Sequence, residues 1–279
     1  MKDGVICINK PKGLTSRDVV NQISRIYKTK KVGHTGTLDP LATGVLIICV
    51  GKYTKLVNEL TSKEKEYLAT MHLGIKTDTA DITGKCLATK KVTASPEQIT
   101  ESFAQFPREY MQTVPLYSAV KVNGKKLYEY ARADEKVLLP KRKVIIRNLQ
   151  LLKINSPEIT FKTTVSKGTY IRSLIVDLAE SFGQLATMQS LVRTKQGPIS
   201  IEECFDLEEV TQETPLKTLG ELFDYPRIAI DEMTKKKIIN GNILNLPSTA
   251  PRVFLTFKEK IIAIYEKKEK YYRIIFKVI

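Results

Sequence analysis

One carboxylate stands alone near the start of this chain. Asp39 is the only acidic residue between Asp18 and Glu59, in the run Gly33-His34-Thr35-Gly36-Thr37-Leu38-Asp39-Pro40-Leu41-Ala42-Thr43-Gly44. A lone carboxylate on a loop can act as a nucleophile. Pro40 pushes Asp39 toward an extended backbone, and the glycines permit tight turns and close approach of another molecule. Leu38 and Leu41 flank it, and Val45–Val50 reads as a buried strand. Catalytic groups are often mounted on such loops. Asp-Pro and Gly are also ordinary turn formers, and the run taken alone favours that plainer reading.

Other chemistries lack their residues. Gly51-Lys52 is followed by Tyr53, and Leu46 stands where a phosphate loop needs its first glycine. The loop has no second carboxylate for glycoside hydrolysis. His34 and His72 lack metal-ligand spacing, and Asp78 and Asp81 lack the terminal Glu of a calcium loop. No metal or cofactor is expected. Cys7, Cys49, Cys86 and Cys204 form no C-x-x-C motif and read as reduced core residues of a cytosolic protein. No signal peptide or membrane-length apolar run is apparent, so a cytoplasmic location with no membrane partner is expected. Lys and Arg outnumber Asp and Glu by 45 to 30. Such an excess points to a polyanionic partner.

The elements that must position Asp39 come next. Gly4–Asn9 reads as a strand, and Thr15 or Ser16 caps a helix with Asp18 in its first turn. Thr54–Leu60 is expected as a short helix, Lys65–Leu73 as an alternating strand, 74–84 as a polar loop and Pro96–Phe106 as an amphipathic helix. Asn123-Gly124 signals a hairpin, with Leu127–Ala133 a helix after it. Val144–Ile154, Ile159–Val165 and Gln189–Lys195 read as strands, and Glu202–Val210 and Pro215–Phe223 as helices. The final part has a helix at Thr234–Asn240 and strands at Val253–Phe257, Ile261–Tyr265 and Tyr271–Val278, which suggests a small β-module. Arg172 begins a helix, where a cation gains nothing from the dipole. That mismatch favours a specific anionic partner.

The run GHTGTLDPLATG resembles the catalytic motif of the TruB family, the bacterial tRNA pseudouridine-55 synthases. KPKGLTS, IKTDTADITG, PLYSAVKVNGKKLYEYAR and SKGTYIR resemble further motifs of that family, and the likeness covers roughly the first 200 residues. Thr37 stands where many members carry alanine. The resemblance implies that Asp39 is the catalytic residue and Arg172 its partner. It implies that Tyr67 and Tyr170 hold the target uracil, that Leu191 touches it, and that His34 fills the space the base vacates.

The implied fold is α/β (α+β): a mixed, largely antiparallel sheet flanked by helices, with a small C-terminal β-rich PUA-like module. Residues 1–228 would form the catalytic domain and 229–279 the RNA-binding module. The implied partner is the T-arm of tRNA, with no DNA and no obligate protein partner, the chain acting as a monomer. The implied reaction converts a T-loop uridine to pseudouridine. A guide-RNA-dependent pseudouridine synthase and a non-catalytic RNA-binding or remodelling protein are the alternatives.

Overall fold

A computed structural model describes residues 2–61 and 63–279. The chain opens with β1 (Gly4–Lys10), α1 (Ser16–Ile26), β2 (Val32–His34) and β3 (Thr43–Val50). It continues through α2 (Val57–Thr61), β4 (Lys65–Leu73), β5 (Ile75–Thr77), β6 (Cys86–Thr89), α3 (Pro96–Gln105) and β7 (Glu109–Thr113). A small hairpin, β8 (Lys121–Val122) and β9 (Lys125–Lys126), leads to α4 (Leu127–Arg132). Then come β10 (Lys141–Asn155), β11 (Glu158–Val165), α5 (Ile171–Ser181), β12 (Ala186–Gln196), β13 (Ile199–Ser200), β14 (Phe205–Asp206) and α6 (Leu219–Leu222). The last part holds β15 (Arg227–Ala229), α7 (Glu232–Ile239), β16 (Arg252–Phe257), β17 (Lys260–Lys268) and β18 (Tyr271–Lys277).

The main sheet runs β14-β1-β3-β12-β4-β11-β10-β7, with β2 added to β3 and β13 to β12. Its pairs are antiparallel except β1–β14 and β3–β12. It is the mixed, largely antiparallel sheet expected. β4 alternates between buried and half-buried positions, the period-2 signature of a strand with one face in the core. β1 and β3 are buried along nearly their whole length, because both faces are covered. On one face, Val19, Val20 and Ile23 of α1 share a core with Ile6, Ile8, Leu46 and Ile48. On the other, Val5, Cys7, Val45, Ile47 and Cys49 share a core with Phe254, Ile264 and Phe276. α5 buries Ile171, Leu174, Ile175 and Leu178 in the first of these cores.

Gly44 marks the switch to parallel pairing, opposite Arg193. Its φ is +97°, and a Cβ there would collide with the Arg193 backbone. The last four strands form a separate sheet, β15-β16-β17-β18. The expected break between residues 228 and 229 falls inside β15.

Several expectations are corrected. The helix expected at Glu202–Val210 is a 3-10 turn, the strand β14 and a second 3-10 turn. Phe205 and Asp206 pair with the free edge of β1, and edge pairing overrides the local helical pattern. Pro215–Phe223 keeps only the four-residue α6, because Lys217 exchanges both backbone hydrogen bonds with Val5. The helix expected at Thr54–Leu60 begins as a 3-10 turn at Gly51. Polar loop 74–84 contains β5, paired with β6. Of the cysteines, Cys7 and Cys49 are buried, but Cys86 is exposed and Cys204 is intermediate. Cys86 lies on β6, all of whose residues are exposed.

Candidate active site

The Asp39 loop joins β2 to β3 and is pinned from three sides. Ser16, the first residue of α1, accepts a hydrogen bond from the Leu38 N–H (2.8 Å) and donates to the Leu38 carbonyl (3.1 Å). The Lys10 ammonium, fully buried, donates to the carbonyls of Pro11 (2.8 Å) and Leu14 (2.7 Å) and reaches that of Pro40 at 3.5 Å. Gly13 N–H also donates to the Pro40 carbonyl, at 2.8 Å. Leu38 and Ala42 anchor the loop in the core. Sequence places Asp39 on a shaped loop, and its tertiary contacts hold it rigid.

Arg172 comes from the first turn of α5 and is 5% exposed. Its Nε lies 2.9 Å from Asp39 Oδ2, and NH2 donates to Oδ1 at 3.3 Å. NH1 donates to the Thr79 carbonyl (2.8 Å) and NH2 to the Tyr117 carbonyl (2.9 Å). One guanidinium therefore ties together the Asp39 loop, the β5–β6 loop and the segment before β8. Only the planar five-donor fork of Arg offers that geometry. The Asp39 side chain remains 34% exposed because it faces a cavity. Burial by the surrounding walls pushes its carboxyl above the ordinary value; Arg172 pulls it back, and Asp81 pushes it up again.

The cavity, about 600 Å³ in volume, is lined by His34, Asp39, Tyr67, Tyr170, Arg172 and Leu191 together. Every site residue anticipated from sequence thus faces one space. Tyr67 is 6% exposed on β4 and Leu191 is 7% exposed on β12. Tyr170 is the N-cap of α5. Burial, with Arg17 and Arg193, lowers the His34 imidazole below its usual value, so the ring is neutral at pH 7. Among the described residues Asp39 is the only carboxylate lining the cavity, against Lys65, Arg142, Lys167, Arg172 and Arg193. Asp81 accepts from the Thr83 N–H within its own loop, whereas Asp78 accepts from the Lys85 N–H and also from the Tyr117 hydroxyl at 3.3 Å. Among the described residues no group of three or more His, Cys, Asp or Glu is placed to hold a metal.

The chain matches the family described as "TruB family pseudouridylate synthase (N terminal domain)" over residues 24–171. The protein named tRNA pseudouridine synthase B in Clostridium kluyveri is 40% identical over 273 residues, covering 96% of this chain and 93% of the relative. The chain belongs to the TruB family. The Fusobacterium nucleatum protein of the same name is 41% identical, covering 94% of each chain. In Clostridium tetani the namesake is 44% identical over 246 residues, covering 86% of this chain and 84% of the relative. Among solved structures, an H/ACA RNP bound to a substrate RNA containing 2′-deoxyuridine aligns at TM-score 0.71 and 23% identity, over 98% of this chain and 84% of the other. The archaeal box H/ACA sRNP Nop10-Cbf5 complex aligns at TM-score 0.70 and 23% identity, over 97% and 84%. These two establish a shared fold.

Sequence reasoning did not single out three groups in this TruB site. Lys65 and Arg193 line the cavity although both are buried. For Arg193 a signal existed, since it lies two residues beyond Leu191 on one strand. Gln112, 1% exposed on β7, accepts from the Tyr170 N–H at 2.8 Å and donates to the Tyr170 carbonyl at 3.1 Å. Its amide also donates to the Tyr110 hydroxyl (2.8 Å), which donates to Asp177 (2.8 Å). A second cavity, about 530 Å³, lies beside Tyr110 and Asp177 and holds none of the site residues.

Proposed function

We propose that this protein isomerises uridine 55 in the T-loop of tRNA to pseudouridine, with Asp39 as nucleophile. The observation that carries the reading is the Asp39–Arg172 pair at the wall of a cation-rich cavity with no other carboxylate among the described residues. The names borne by relatives at about 40% identity over most of the chain support it.

The target base leaves its stack to be reached, at a cost of a few kcal/mol. Tyr67 and Tyr170 hold the flipped uracil, Leu191 packs against it, and His34 enters the space it leaves. The N1–C1′ bond breaks with its electron pair going to the uracil. The electron-poor C1′ or the base bonds to the Asp39 carboxylate, which Arg172 keeps in position. The uracil turns and its C5 bonds to C1′, the bond to Asp39 breaks with its electron pair returning to the carboxylate, C5 loses a proton and N1 gains one. Atoms and charge balance with no external reagent.

Residues 1–228 carry this chemistry in our reading, and 229–279 position the RNA. We also propose that the protein works in the cytoplasm as a monomer without an obligate partner. The described residues include no helix long and apolar enough to cross a membrane.

The test uses purified protein and unmodified tRNA transcript, with pseudouridine mapped at single-nucleotide resolution. Product at uridine 55 without guide RNA or a second protein is expected. Product only with an added guide RNA overturns the stand-alone reading. No product under either condition leaves a binding protein.

A further inference from the structure

Two buried cations face the cavity side by side. Lys65, at the start of β4, is 8% exposed, and Arg193, on β12, is 1% exposed. Lys65 shares the inward face of β4 with Tyr67, which pairs directly with Arg193 across the strands. A Cβ built on Gly36 would lie 3.5 Å from both Lys65 Cε and Arg193 NH1. The two side chains therefore converge on one point of the Asp39 loop.

Among the described residues neither cation has a counterion. Lys65 Nζ donates to the carbonyls of Thr61 (3.0 Å) and Lys63 (2.8 Å), which uses two of its three hydrogens. Arg193 donates from Nε to the Val45 carbonyl (2.6 Å) and from NH2 to the Gly36 carbonyl (3.1 Å). Among the described residues, its NH1 has no hydrogen-bond acceptor and neither side chain forms a salt bridge with a carboxylate. The cavity's single carboxylate is already taken by Arg172. Burial pushes the Lys65 ammonium down to about 8, and the charges of Arg193 and Lys167 act in the same direction. Two uncompensated like charges in a protein wall are unfavourable. An arriving anion relieves that condition.

We propose that Lys65 and Arg193 together bind one backbone phosphate of the RNA strand that delivers the flipped uridine. The proposal rests on the RNA-modifying reading above and adds a specific anion subsite to it. A phosphodiester suits the pair: Lys offers a point charge and Arg the remaining donors of its fork. The contact fixes the strand's register without reading a base, so the adjoining nucleotide is placed at Tyr67, the neighbour of both cations.

The experiment pairs a change in the protein with a change in the RNA. Stem-loop RNAs of T-arm sequence carry one uncharged methylphosphonate linkage each, scanned across the loop, and equilibrium binding is measured. With the unaltered protein, one linkage near the target uridine should stand out, weakening binding about tenfold. With Lys65→Gln that same linkage should cost no more than about twofold further, because interacting partners are not additive. Lys65→Arg should restore the full penalty. A flat scan with the unaltered protein overturns the proposal, and this arm needs no variant to fold. Full, independent penalties in Lys65→Gln overturn it as well. Pseudouridine is mapped in parallel on the unsubstituted stem-loop. Coupling without product removes the isomerase reading and keeps the subsite; product without coupling removes the subsite alone.

Discussion

Arg172 lies against Asp39, with Nε 2.9 Å from one carboxylate oxygen but not hydrogen-bonded to it, and NH2 donating to the other at 3.3 Å. Before it reaches Asp39 it is already held by the carbonyls of Thr79 and Tyr117. The carboxylate is thus aimed by a group that two other segments of the chain fix in place. Such preorganisation lets a single acidic group act without rearranging during the reaction.

Asp39→Asn should lower the single-turnover rate by roughly a thousandfold or more, as removal of a nucleophile typically does. Binding of tRNA should stay within about twofold, since phosphate contacts dominate affinity. Rapid-quench kinetics and filter binding on the same preparation check both. Near-normal turnover would remove Asp39 from the mechanism.

Arg172→Lys should also be severely impaired, although it keeps the charge. An ammonium cannot serve Asp39, Thr79 and Tyr117 with the guanidinium's planar geometry. A loss of about a hundredfold or more in single-turnover rate is expected from misplacement alone. Normal kinetics would show that charge, not geometry, matters at this position.

The acid limb of the rate profile should lie above the ordinary carboxylate range. Burial raises the Asp39 carboxyl; in the proposed mechanism the ionised form reacts, so activity should be lost as pH falls through that raised value. Asp81 contributes to the rise through its charge. Asp81→Asn keeps an acceptor for the Thr83 N–H and removes that charge, so the limb should move to lower pH. Single-turnover rates across pH, with RNA saturating, read the shift. An unmoved or upward-moved limb would mean that it reports another group.

Gln112→Leu should damage chemistry more than RNA affinity. The amide holds both backbone groups of Tyr170, so its removal leaves a part-buried N–H unpaired, at up to about 1–3 kcal/mol. Thermal melting gives the stability loss, and the split between rate and affinity identifies a positioning residue. Tyr110→Phe, which leaves the amide's bonds to Tyr170 in place, should lose less of each. Equal losses of rate and affinity for Gln112→Leu would indicate a purely structural role.

What could be read from sequence follows from where the information is local. The continuous apolar run of β3 and the alternation of β4 are patterns of neighbouring residues, and both strands lie where expected. The Thr15–Asp18 capping box of α1 is equally local. β7 and β14 are short edge strands that exist because a partner offers hydrogen bonds, and no local pattern announces a partner. The cavity residues come from β2, α2, β4, α4, β10, α5 and β12 and the loops between them. Their types were legible in motifs, but the convergence of Lys65 and Arg193 on Gly36 was not. Burial of a charge is a property of the assembled fold.

The C-terminal module should assist RNA binding, yet cutting it away would not show this. Phe254, Ile264 and Phe276 are almost fully buried against Val5, Cys7, Val45, Ile47 and Cys49 of the main sheet. Arg252 also pairs with Glu59 of α2. Burying each aromatic or aliphatic side chain is worth about 1.5–3 kcal/mol, so three of them match much of a domain's net stability of about 5–15 kcal/mol. Deletion of 229–279 should therefore unfold or aggregate the remainder. Exposed lysines provide the cleaner test. Lys235 pairs with Glu232, Lys268 with Glu266, and Lys267 donates to the Ser248 carbonyl. Lys236, Lys237 and Lys270 are exposed, and among the described residues their side chains form no hydrogen bond or salt bridge. Replacing these three with Gln should lower the slope of log affinity against log salt by about 0.7–0.9 for each phosphate that the protein no longer neutralises. Single-turnover chemistry at saturating RNA should be unchanged. Binding as a function of salt, measured after circular dichroism confirms the fold, gives the answer. An unchanged slope would make these lysines a solvated face, and a folded variant that binds normally but reacts slowly would assign the module a part in shaping the active site.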